Sequence, residues 1–200
     1  HIIRPIVYRY PLLPDDFEKL QSYINKIKPL LPVVQGKIET TDHISIALQR
    51  YNESLFMPDS TERLTYAIMG LEALFLKSKE HEELAHRLAQ RVAKCLSILG
   101  HQSLEVYRII KESYSVRSQF IHGSLVEGEH DDVSQLADRI LEYLRSSVLM
   151  FFELKGKMEK ESLLNTVDNS LLHGDALAKL EKLIKEQCQI TQSISAASPA

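Results

Sequence analysis

The sequence predicts an all-α domain: a helical bundle of five to six main helices with an extended N-terminal lead-in. Three observations predict it. Apolar residues recur at helical spacing in successive segments, most cleanly at Val133, Leu136, Ala137, Ile140, Leu144, Val148 and Phe151. Helix-stop and helix-start signals separate these segments by short loops. Six of the 7 prolines lie at positions 5 to 58, so long stretches beyond them carry no helix breaker.

Each element follows from its residues. "IIRPIVYRYPLLP" is β-prone but punctuated by proline, which cannot donate to a ladder, so it reads as an extended lead-in. From Asp15 the period turns helical through Phe17, Leu20, Ile24, Ile27 and Leu31, with Asp15 and Asp16 as caps, until "LLPVVQGKI" breaks it. A second helix is expected from about Thr41 to Leu55. "MPDSTE" then starts a third, with Asp59 or Ser60 as cap. That helix, "RLTYAIMGLEALFLKSK", is apolar nearly all round, as a helix buried on most faces must be.

The fourth helix is expected from His81 to Leu99, where Gly100 stops it. The fifth runs from Ser103 to Phe120 and the sixth from Val133 to Leu154, across the loop "GSLVEGEHDD". Beyond "KGKMEKES" only "DALAKLEKLIKEQ" reads as helical, and "TQSISAASPA" is too polar to pack. The predicted organisation is a lead-in over 1–13, a bundle over 14–155, a charged helical appendage over 156–190 and a frayed tail over 191–200.

Bulk properties exclude several classes. The 200 residues carry a net charge of −3, which lacks the strongly basic face of a duplex-DNA binder. No apolar run reaches membrane-spanning length, so no membrane partner is expected. Cys95 and Cys188 stand far apart and in no metal-ligand or redox motif, as reduced thiols of a cytoplasmic protein do. The opening "HIIRPIVYRY" has neither the Met nor the charged-then-apolar layout of a signal peptide. It reads as the start of a domain cut from a longer protein, or as a tag remnant before one.

Several residues stand out chemically. Glu72 lies among Ile68, Phe75 and Leu76 on an apolar helix face. A buried carboxylate needs a cationic partner, and Arg117, Arg91 and Arg87 are the candidates. "HEELAH" places His81 and His86 five apart rather than the four a helical zinc site needs. "EGEHDD" reads as a solvated acidic turn with Asp131 or Asp132 capping the sixth helix, and "LLHG" as a helix break. Arg117 and His122 are also five apart, about 140° from each other on a helix, with His122 at the terminus before Gly123. They are no intrahelical pair. The plain alternative is a surface arginine and a histidine at a helix C-terminus.

In order and spacing, "RLTYAIMGLEALFL", "HRLAQRVAKCL" and "YSVRSQFIHG" resemble the Apea-like HEPN domains. The likeness extends to "PLLPDDFEKLQSY" and "ISIALQRYNESL" and covers about Pro11 to Leu154. The signature of the wider superfamily is Arg, four to six residues, then His, matched here by Arg117 and His122. The resemblance implies a helical bundle that forms a homodimer through its motif helices, bringing two motifs into one composite cleft. For active members it implies an endoribonuclease that needs neither metal nor cofactor. His122 would be the general acid/base toward a ribose 2′-hydroxyl, since histidine titrates near neutral pH. Arg117 would bind the scissile phosphate, Ser118 would help position it, and Glu72 would hold Arg117. It also implies RNA as substrate, an upstream domain or partner protein, and a role as toxin or effector in antiphage defence. Other members keep the fold without the activity, as modules for dimerisation and for partner or nucleotide binding.

Overall fold

The computed structural model describes residues 13–27, 42–123 and 130–195. Every element among them is a helix: α1 (Pro14–Ile27), α2 (His43–Phe56), α3 (Ser60–Phe75), α4 (Leu84–Ile98), α5 (Ser103–Ile121), α6 (His130–Leu154), α7 (Lys160–Ser170), α8 (Gly174–Gln187) and α9 (Gln189–Ser195). The all-α class is as the sequence predicts. Among the described residues, no helix is long and apolar enough to cross a membrane. The lead-in over 1–13 lies outside the described residues except for Leu13.

The chain divides into two compact units, His1–Val33 and Val34–Ala200. The first contains α1, which opens with Pro14 at a position where a missing N–H costs nothing. The expected 14–155 bundle thus spans parts of both units. Helical periodicity shows that a segment has an apolar face, but not which body that face packs against.

In the second unit, capping fixes the helix starts. The Asp42 carboxylate accepts from the Ile44 and Ser45 N–H groups, each at 2.8 Å. Asp59, rather than Ser60, caps α3, accepting from Thr61 and Glu62 at 2.9 Å. Both satisfy N–H groups that a helix start leaves open.

The all-round apolar character of α3 now has its reason. α3 packs against α2, α4, α5 and α6, and Leu64, Ala67, Ile68, Leu71, Leu74 and Phe75 are fully buried. Gly70 permits the close approach of α6: a Cβ there would stand 2.8 and 2.9 Å from the two Leu144 methyl carbons and 3.3 Å from Arg50 Cβ.

The segment from α7 onward packs on the helices before it. Leu163, Leu164 and Val167 of α7 and Leu180 and Ile184 of α8 are buried, and these helices pack on α4 and α6. α7 was hidden in the sequence by the charged run before it. Nor does the stretch from 191 fray throughout, because Thr191 is fully buried within α9. Glu153 of α6 holds it, accepting from Ile190 N at 2.9 Å, Thr191 N at 3.0 Å and Thr191 Oγ1 at 2.6 Å. Residues 196–200 lie outside the described residues.

Arg91 of α4 ties these layers together. It is 1% exposed, yet all five of its N–H donors are used. Two bonds reach Asp168 of α7 at 2.7 and 2.8 Å, two reach Glu80 at 2.6 and 2.7 Å, and one reaches the Phe75 carbonyl at 2.7 Å. Cys95 and Cys188 are buried thiols outside any disulfide, Cys188 Sγ donating to the Met150 carbonyl at 3.9 Å, and each is pushed up to about 12, chiefly by burial.

Candidate functional site

Two helices build the site. α3 carries Glu72 one turn before its end, and the last turns of α5 carry Tyr114, Arg117 and Ser118. Arg117 Nη2 donates to Glu72 Oε2 at 3.2 Å, with the two side chains 22% and 19% exposed. Of the three arginines the sequence offered Glu72, the structure selects Arg117. Arg91 is consumed by Glu80 and Asp168, and Arg87 stands 3.6 Å from Glu80.

The pair is half-sheltered rather than deeply buried. Burial pushes the Glu72 carboxyl above its ordinary value, while the Arg117 charge and the Tyr114 hydroxyl pull it back. Tyr114 also lies under the guanidinium, whose Cζ is 5.6 Å from the ring centroid. The sequence alone gives Tyr114 no part in the pair. Its position three before Arg117 on one helix was the available signal. Glu72 and Tyr114 thus fix Arg117 from two sides. The single bond to Glu72 leaves other guanidinium donors for an oxyanion, although Arg117 Nε is buried without a partner among the described residues.

His122 ends α5. Its N–H donates to the Ser118 carbonyl at 3.1 Å, and Gly123, at φ +69°, turns the chain away, a conformation glycine adopts without strain. The imidazole is exposed, beside the exposed apolar side chains of Phe120 and Ile121. Ser118 is half-buried one residue after Arg117. The structure therefore brings Glu72, Tyr114 and Arg117 together within one chain, and among the described residues no hydrogen bond joins His122 to Arg117.

The remaining histidine motif separates. His86 Nδ1 meets Tyr107 Oη at 2.9 Å, between α4 and α5, and His81 lies exposed before α4. The loop that carries "EGEHDD" falls largely outside the described residues.

The geometry sets the cost of breaking the pair. Glu72→Ala is expected to reduce stability by about 1 kcal/mol, as for a partly solvated ion pair with one hydrogen bond. Chemical denaturation of Glu72→Ala, Arg117→Ala and the double variant gives the coupling directly. A loss of 3 kcal/mol or more in Glu72→Ala would mean a dry, desolvated pair instead.

Compared with known protein families, curated proteins and solved structures, the chain matches none.

Proposed function

We propose that the chain is an HEPN-type, metal-independent endoribonuclease domain that cuts RNA at a composite cleft in a homodimer. The observation that carries this reading is the anchored arginine. Arg117 is held by Glu72 at 3.2 Å and backed by Tyr114, while the exposed His122 follows at the end of the same helix with no hydrogen bond to Arg117 among the described residues. A pre-positioned guanidinium suits a phosphate whose charge grows in the transition state. A histidine free at a helix end suits proton transfer, provided a second copy supplies what one chain keeps apart. The exposed Phe120 and Ile121 beside it give such a pairing an apolar contact surface.

In this reading His122 takes the proton of the ribose 2′-hydroxyl. The 2′-oxygen attacks the adjacent phosphorus, the 5′-oxygen leaves with a proton, and a cyclic phosphate remains on the upstream fragment. Arg117 neutralises the phosphoryl oxygens, and Ser118 lies close enough in sequence to help orient them. The expected setting is the effector part of a defence or toxin protein.

The test is cleavage of total RNA and tRNA in EDTA. The wild-type chain is expected to cut, with His122→Ala and Arg117→Ala each reduced by at least about 10²-fold. Mixing the two inactive variants is expected to restore part of the activity, because one mixed dimer still holds an Arg117 and a His122. Cutting by His122→Ala at the wild-type rate would remove the mechanism. A dimeric wild-type chain that cuts nothing would assign the domain as a dimerisation and partner-binding module.

A further inference from the structure

A cavity of about 790 Å³ opens where the starts of α2 and α7 meet the ends of α3 and α6. Its floor is apolar, with Ile44, Phe151, Leu154 and Leu163 all nearly fully buried. Its wall carries charges of both signs: His43, Lys77, Lys155 and Lys160 stand with Asp42, Glu159 and Glu161, contributed by the beginning of α2, the stretch after α3, the end of α6 and the beginning of α7.

These basic groups crowd one another. His43 is half-buried, with its ring edge-on to Phe151 at 5.7 Å between centroids. Burial and then the charge of Lys160 push its imidazole below the ordinary value, and Lys155 adds to the push. Lys160 Nζ donates to the Ala73 carbonyl at 2.6 Å, closing an open end of α3, and makes no hydrogen bond to a carboxylate among the described residues. Burial and then the charge of Arg91 push its ammonium down as well.

The nearby acids are engaged elsewhere or turned to solvent. Asp42 is occupied by the first N–H groups of α2 and by Lys155 at 3.2 Å. Glu80 is bound to Arg91. Glu159 and Glu161 are exposed at the rim. Lys77, also on the wall, faces Asp168 and Asn165. Lys155 and Lys77 thus have carboxylate partners, whereas the half-buried Lys160 ammonium has only the Ala73 carbonyl among the described residues, a state that an anion beside it would improve.

We propose that this cavity binds a small organic anion, with its phosphate or carboxylate group against His43 and Lys160 and its apolar body on Phe151 and Leu163. The proposal does not depend on the nuclease reading, because the residues of the two sites are separate.

The probes are phenyl phosphate, benzoate and the neutral benzyl alcohol, titrated into the full chain while the backbone amide signals of Ile44 and Phe151 are followed by NMR. At least one of the two anions is expected to move those signals saturably, while benzyl alcohol is not. Phenyl phosphate and benzoate together distinguish a phosphate site from a carboxylate site. His43→Gln and Lys160→Met are each expected to weaken the binding roughly tenfold, the loss of about one charge-assisted contact. Lys182→Met, on the exposed face of α8 with its side chain 74% accessible, is expected to bind as the wild type does. Because Lys160→Met also removes the bond to Ala73, His43→Gln and the wild-type titration stand as independent arms. No saturable shift with either anion, equal binding of benzyl alcohol, or wild-type affinity in His43→Gln would overturn the proposal.

Discussion

Replacing Arg91 by methionine is expected to lower the unfolding free energy by about 3 kcal/mol, in the range for breaking a buried ion network by removing one member. The methionine fills much of the volume but leaves Glu80, Asp168 and the Phe75 carbonyl without their five bonds. The pH dependence gives a second readout. Hydrogen bonds from Arg91, set against a smaller opposing effect of burial, hold the Glu80 carboxyl down at about 2 against an ordinary 4.5. A carboxyl lowered on folding stabilises the native state above its unfolded value and loses that contribution as pH falls toward the folded one. The wild-type chain is therefore expected to lose on the order of 3 kcal/mol between about pH 4.5 and pH 2 from this group. In Arg91→Met most of that acid-dependent loss should be gone, leaving a flatter profile. Urea unfolding at several pH values measures both effects. A variant within 1 kcal/mol of the wild type at pH 7, with an unchanged acid slope, would show that the network contributes little.

Gly70→Ala is expected to destabilise the chain by about 2 kcal/mol, against the usual sign of such a change. At an exposed helix position alanine gains roughly 1 kcal/mol over glycine. Here the new methyl would meet Leu144 at 2.8 and 2.9 Å, and Leu144 is itself fully buried. The strain falls on the contact between α3 and α6. Gly70→Ser should behave similarly, and Gly70→Val should be worse. Thermal or urea unfolding decides it, and a more stable Gly70→Ala would mean that α6 can yield at no cost.

What the sequence reveals follows from how far each signal reaches along the chain. The second to sixth helices are legible because caps and periodicity act within a few residues. Asp42, Asp59, Gly100 and the stripe from Val133 to Phe151 are all local. Glu72 is legible as a carboxylate in need of a cation, but its choice among Arg87, Arg91 and Arg117 is settled by tertiary packing, which brings Arg117 to it and commits Arg91 to Glu80 and Asp168. The same limit applies to Tyr114, whose role depends on what stands across from it. α7 is short, and its apolar triplet Leu163, Leu164 and Val167 follows a charged run that reads as loop. α9 is the extreme case. Seven mostly polar residues have no reason of their own to fold, and the group that organises them is Glu153, on another helix.

That last arrangement determines how this domain can be cut. Glu153 works as a socket: it sits 7% exposed at the end of α6 and is filled by the backbone of residues 190 and 191. A shortened chain ending before Gln189 would keep almost every apolar contact of the core. It would also carry the sheltered Glu153 carboxylate with three bonds missing. A trimming scheme that follows hydrophobicity alone would place its boundary there, discarding the polar segment as dispensable. The chemically sound boundary lies after Thr191, where the socket is full.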